Sequence, residues 1–275
     1  MSCSRSPASR SARPRPSARR SNSAQVVARS PCRWAGAARS AVAIASKTSA
    51  KFHPDIDRTL ATGDPAGRVL RSYDLDMAST ISDELVLNAV TVARDGADRA
   101  EANRRLPPET VDALAAAGLL SMCLPVDLGG PGVGPLETIE LIERVAHADG
   151  AAGWCSMISS TTSSMAVFLE PDIARSVFAL ARATGGVFAP NGVGRVEGDD
   201  VVVSGRWQWG SGTQHCDWVV GGARCDDGIQ RTCIFPASEI EFHDTWFTSG
   251  MRGSGSLDFS VDEVRVPLER TVAPG

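Results

Sequence analysis

Residues 195–218 read RVEGDDVVVSGRWQWGSGTQHCDW. The run Glu197-Gly198-Asp199-Asp200 carries turn residues, and the residues after it alternate. Val201, Val203, Gly205 and Trp207 fall on one face, and Val202, Ser204, Arg206 and Gln208 on the other. Period-two alternation after a Gly-Asp turn predicts a β-hairpin. Downstream, CDWVVGGARC (216–225), IQRTCIFPA (229–237), IEFHDTW (240–246) and LDFSVDEVRVP (257–267) are further short runs, rich in Val, Ile, Phe and Trp. Gly, Pro and Asp break them. Strands at this spacing predict a small antiparallel barrel or sandwich over about 183–275.

Upstream the period changes to that of a helix. Leu85, Val86, Ala89, Val90, Ala93 and Ala97 recur at three and four residues, with Ser82 or Thr80 as cap and Asp83 and Glu84 in the first turn. RLPPETVDALAAAGLL (105–120) predicts a second helix that begins at Pro107-Pro108, turns Val111, Leu114 and Ala115 inward and stops at Gly118. PLETIELIERVAHADG (135–150) predicts a third, with Ile139, Ile142, Val145 and Ala146 inside. Residues 151–168 read as a largely buried helix, and PDIARSVFAL (171–180) as a short last one. Helices that precede strands, rather than alternating with them, predict an α+β fold. The expected boundaries are a tail and linker over 1–78, a helical domain over 79–182 and a β domain over 183–275.

The charge is unevenly spread. Of 275 residues, the first 50 hold nine Arg, one Lys and no acid, while the rest hold 18 basic and 32 acidic residues. The Ser, Arg, Ala and Pro of the first 25 residues offer little to bury, so this stretch is expected to be disordered. Transit peptide, basic arm and sequence upstream of the true start all compete with the bland reading of a solvated tail, which is preferred. The net charge of −4 argues against a nucleic-acid binder, and no apolar run is long enough to span a bilayer. Seven cysteines without a CxxC pair suit a reducing compartment, expected to be the cytoplasm.

Several chemistries fail on spacing. The stretch SMCLPVDLGGPGVGPLETIEL (121–141) imitates a dinucleotide-binding turn, but its glycines do not give GxGxxG and Pro131 interrupts it. The four His are scattered, so no metal site is expected. Ser211, Ser254 and Ser256 are flanked by glycines without forming a nucleophile elbow. What remains is WQWGSGTQHCDW (207–218), where Trp207, Trp209 and Trp218 crowd a loop of small residues. Small residues let a flat ligand approach the backbone, and an indole can wall an aromatic ring. The competing reading is a core tryptophan pair beside an ordinary loop.

Four blocks in order carry a resemblance. They are RxLPPETVDALAAAGLL (104–120), AHADGAAGWCSM (146–157), VSGRWQWGSGTQHCDWVVGGA (203–223) and GMRGSGSLDFSVDEVRVP (250–267). Together they resemble the acyl-CoA dehydrogenase superfamily, and within it the flavin-dependent hydroxylases, the two-component aromatic monooxygenases. The resemblance implies a helical N-terminal domain, a middle β domain and a C-terminal helical bundle, with flavin (FAD or FMN) between the last two. The flavin ring would be lined by Ala189, Pro190 and Asn191 on a strand and by Trp209, Gly210, Ser211, Gly212 and Thr213 in the loop. Ser211 would act beside the reactive edge of the ring, and Trp154 would face substrate. Reduced flavin from a partner reductase would, with O2, hydroxylate an aromatic or polycyclic small molecule in a homo-oligomer. The sequence ends at Gly275, directly after the β domain, so the bundle and the family's catalytic base are expected to lie outside it. The alternatives are an acyl-CoA dehydrogenase and a non-catalytic fragment that needs a separate C-terminal half.

Overall fold

A computed structural model describes residues 81–273. The disordered tail and linker expected over 1–78, and Thr80 as a cap, lie outside the described residues. Every described residue belongs to the compact unit Asp74–Gly275.

Helix α1 spans Asp83–Asn103, α2 Pro108–Ala116, α3 Pro135–Ala148 and α4 Gly150–Ser163. A short α5, Pro171–Ala174, runs into one π turn at Arg175–Ala179. On α1 the buried stripe is Val86, Ala89, Val90, Ala93, Gly96 and Ala100. Leu85 is exposed instead, because it lies about 100° round the helix from Val86. Ser82 holds the cap position but its side chain makes no cap bond. On α3 the buried residues are Thr138, Leu141 and Val145, which leaves Ile139 62% exposed and Ala146 also on the outside. Ala146 nevertheless lies against Gly153 of α4, where a Cβ would come 2.6 Å from its own. A glycine there lets the two helices close. Helix α4 is capped by Asp149, whose carboxylate accepts from the backbone N–H of Ala151 at 3.0 Å and of Ala152 at 3.3 Å.

Seven strands follow: β1 Thr184–Glu197, β2 Asp200–Gly210, β3 Trp218–Cys225, β4 Gln230–Pro236, β5 Glu241–His243, β6 Leu257–Pro267 and β7 Thr271–Val272. They form one sheet in the order β5-β6-β2-β1-β3-β4-β7. The expected hairpin joins β1 and β2, with Glu197 opposite Asp200 and Gly198 at φ +64°. The α+β arrangement is as expected, but the sheet is mixed where an antiparallel one was predicted: β3 pairs parallel to β1. The connection after β2 reverses the chain. Because β1 lies between β2 and β3, that reversal leaves β3 running with β1.

The sheet curls around Trp207, which is 0% exposed. Its ring stacks on Phe259 of β6 at 5.2 Å and tilts against Phe235 of β4 at 5.9 Å. Four strand-to-strand steps separate β4 from β6, so both reach one indole only in a strongly bent sheet. Glycines make the room. A Cβ on Gly192 or Gly221 would lie 2.7 or 2.8 Å from the indole. Its Nε1 donates to the carbonyl of Gly222 at 2.9 Å, so the buried indole is satisfied.

Candidate functional site

The segment after Trp207 leaves the sheet at a bulge. Trp207 faces Phe259 and Gly210 faces Leu257, so three steps on β2 match two on β6. Strict alternation would put Trp207 and Trp209 on one face. The bulge, with Trp209 at φ +63°, turns the second indole outward, where it is 68% exposed. The loop beyond is pinned from inside. The Thr213 hydroxyl donates to the Gly210 carbonyl at 2.6 Å, and the Gly212 N–H donates to the Ser254 carbonyl at 2.8 Å.

Trp209 forms one wall of an open cavity of about 390 Å³. Trp154 and Ile158 of α4, with Trp246 and Met251 from the segment between β5 and β6, complete its apolar lining. Ser211, Ser254 and Ser256 also line it. The Trp154 Nε1 donates to Ser211 Oγ at 2.9 Å. Ser211 Oγ lies 2.7 Å from Ser256 Oγ, which lies 2.8 Å from Ser254 Oγ. All three serines are buried. The result is a line of three hydroxyls fixed at one end by an indole.

The structure therefore unites Trp154, Trp209 and Ser211 of the sequence-predicted residues. Gly210, Gly212 and Thr213 shape the loop from within. Ala189, Pro190 and Asn191 lie elsewhere on β1, at two register shifts against β3, and do not line this cavity. Of the tryptophans singled out in the sequence, Trp207 is core, and Trp218 is half-buried with the Arg270 guanidinium 5.3 Å over its ring. Trp246, Met251 and Ile158 were not foreseen. Trp246 sits in a run that read only as strand, and Ser254 and Ser256 read only as turn residues.

A second space, a slit of about 10 Å³ between α4 and the loop, is too small for an organic ligand. Cys155, Cys216 and His215 line it. Burial pushes the Cys155 thiol up to about 12 and lowers His215 to about 4, the latter helped by Arg105 and Arg182. A thiol so protonated is a poor nucleophile. Among the described residues no three His, Cys, Asp or Glu side chains gather as metal ligands.

The open cavity suits one face of a planar aromatic ring such as an isoalloxazine: indoles and aliphatic groups supply flat contact, and buried hydroxyls supply hydrogen bonds to its edge. No charged side chain lines it, so these residues offer a phosphate no cationic partner.

Residues 83–170 match the family described as acyl-CoA dehydrogenase, N-terminal domain. The oxygenase subunit HsaA of a flavin-dependent monooxygenase from Mycobacterium tuberculosis is 33% identical over 189 residues, covering 66% of this chain and 48% of that protein. Its crystal structure superposes with a TM-score of 0.64 at 31% identity, over 71% of this chain and 55% of the other. Indole-3-acetate monooxygenase of Pseudomonas putida is 31% identical over 212 residues, covering 72% and 52%. XiaF from Streptomyces, solved in complex with FADH2 and glycerol, superposes with a TM-score of 0.65 at 26% identity, over 69% and 50%. The chain thus spans about half the length of the curated relatives it matches. The matched domain, the relatives and the fold agree: over its helical and β halves the chain is similar to the acyl-CoA dehydrogenase superfamily.

Proposed function

We propose that this chain is part of a flavin-dependent monooxygenase that hydroxylates an aromatic or polycyclic substrate, with the helical half and the β half acting as its N-terminal and middle domains. The observation that carries the reading is the cavity walled by Trp154, Trp209 and Trp246 with the hydroxyl line Ser211–Ser256–Ser254 on it. When bound, reduced flavin (FAD or FMN) supplies the electrons that activate O2 for transfer to an aromatic ring.

The chain's own residues orient and donate. An indole N–H can only donate, so Trp154 fills one acceptor site of Ser211 Oγ. Three hydroxyls hold three protons, and the two links between them use two. When Ser254 donates to Ser256 and Ser256 to Ser211, the proton of Ser211 is free for a ligand in the cavity. When the line reverses, the free proton moves to the Ser254 end. In the first arrangement Ser211 is the donor to the ring edge. Trp209 and Trp154 shape the flat space. The ring contacts first assigned to Ala189, Pro190 and Asn191 stay part of the reading only as contacts made outside this cavity. The same reading carries a separate flavin reductase, a small-molecule substrate, a homo-oligomer and a cytoplasmic location.

The full chain is titrated with oxidised FMN and FAD while flavin fluorescence is followed, and with the reduced forms, anaerobically, while the protein's tryptophan fluorescence is followed. Saturable quenching that weakens in Trp209→Ala is expected. No uptake of either flavin in either redox state overturns the reading. Reduction of bound flavin by an acyl-CoA would instead mark a dehydrogenase.

A further inference from the structure

The segment that roofs the cavity is held from a distance by the end of α1. Glu101 Oε2 accepts from the backbone N–H of Arg252 at 2.9 Å and of Gly253 at 3.3 Å. Gly253 is pressed onto the same helix, where a Cβ would stand 2.8 Å from that of Ala100. Three residues on, Arg104 ends the helix in the left-handed region at φ +56°. Its guanidinium forms a two-pronged pair with Asp244, donates to the Trp246 carbonyl at 3.2 Å and lies 4.2 Å over the Phe247 ring. The Trp246 Nε1 then donates to the Met251 carbonyl at 3.2 Å, tying the two held segments together.

Glu101 lies in the last turn of α1 and Arg104 is its left-handed cap. At this end of the helix a carboxylate grips the N–H groups of one segment, and a cation grips an acid, a carbonyl and a ring of the other. Neither Glu101 nor Arg104 lines the cavity. The residues they hold lie next to, or are, those that do: Trp246, Met251, Ser254 and Ser256. Met251 sits at φ +58°, where a non-glycine residue is uncommon, whereas Gly255 at +52° takes that region freely, so it is at Met251 that the turn gains from being held.

We propose that Glu101 and Arg104 are positioning residues, a two-armed clamp that sets the place of Trp246 and Ser254 and so the affinity of the cavity for an aromatic ring. The choice of ring rests on the flavin reading above; the clamp does not. A carboxylate accepting two N–H bonds is replaceable by an amide oxygen but not by a methyl group.

The test uses the full chain and compares Glu101→Gln, Glu101→Ala, Arg104→Lys and, as a control on an exposed ion pair, Glu109→Ala. Amide hydrogen exchange is read at Arg252 and Gly253, and FMN is the binding probe. In Glu101→Ala both amides should exchange about tenfold faster and FMN affinity should fall at least about fivefold, the scale of losing charge-assisted hydrogen bonds. Glu101→Gln should stay within about twofold of the parent in both. Arg104→Lys, which keeps the charge but loses the planar fork, should weaken FMN binding with exchange at Arg252 unchanged. The proposal is overturned if Glu101→Ala leaves both amides at parental exchange, or if Glu101→Gln behaves like Glu101→Ala. Should Glu101→Ala not fold, the comparison of Glu101→Gln with Arg104→Lys decides. If the parent binds no FMN, the flavin reading falls and the clamp stands or falls on the exchange result.

Discussion

Trp154 and Ser211, 57 residues apart, are joined by a 2.9 Å hydrogen bond from the indole Nε1 to the serine Oγ. The bond crosses from α4 to the loop after β2, so it ties the helical half to the β half at the mouth of the cavity. Trp154 is 42% exposed, which leaves its ring face available while its N–H is used. Replacing Trp154 by Phe keeps a ring and removes the donor. Stability should fall by no more than about 1.5 kcal/mol, the range of one net hydrogen bond, measured by urea denaturation. Flavin affinity should fall several-fold in the same variant. An unchanged affinity would detach the Trp154–Ser211 bond from ligand binding.

Trp207 and Trp209 should respond in opposite ways. Trp207→Ala removes an indole packed between Phe235 and Phe259 and should cost about 3–5 kcal/mol. Trp209→Gly removes an exposed ring and relieves a left-handed backbone, so thermal stability should hold or rise slightly while ring binding drops. Loss of stability in Trp209→Gly comparable with that in Trp207→Ala would contradict the placement of the two rings.

Gly221→Ala tests the curl of the sheet. The added methyl would stand 2.8 Å from the Trp207 ring at a site where both neighbours, Val220 and Gly222, are buried. Overpacking of this kind should cost about 1–3 kcal/mol, read as a lower urea midpoint with an unchanged slope. Gly228→Ala is not an equivalent control, because Gly228 sits at φ +82° although nothing crowds it. Gly134→Ala, in open space at negative φ, is the closer control, with a cost below about 1 kcal/mol expected because Gly134 holds the N-cap of α3.

His215 sets a pH dependence. Its ordinary value is 6.5, and burial, with Arg105 and Arg182 nearby, holds it at about 4 in the folded chain. Its Nε2 has no hydrogen-bond partner. Between those values the unfolded chain binds a proton that the folded chain refuses, so stability rises with pH. Acidification from pH 7 to 4 should therefore cost up to about 3 kcal/mol from this residue. His215→Leu should flatten the slope between pH 6.5 and 4.5, where most carboxylates remain ionised. The same slope in parent and variant would mean that His215 is protonated in the folded state.

Much of the fold was readable from local pattern. The switch from a helical period to alternation near residue 183, the Pro107-Pro108 start of α2 and the Glu197–Asp200 turn are short-range consequences of sterics and side-chain spacing, and each stands where the sequence put it. Errors of one helical position, at Leu85, Ile139 and Ala146, arose because an apolar residue at the border of a stripe has no sequence signal for which side it takes.

The site was less legible. WQWG gave two indoles at even spacing, and alternation assigns both to one face. Only the bulge between β2 and β6 separates them, and that bulge depends on which strand pairs with β2. Trp246, Ser254 and Ser256 come to Trp154 and Ser211 across roughly 35 to 100 residues of chain, and the grip of Glu101 on Arg252 spans 151. The sequence by itself determined which segments are helices and which are strands, because those choices are made by neighbours within a few residues. Only the tertiary structure decided which indole is core and which is wall, because that depends on register and on long-range pairing, whose energies no local window of sequence contains.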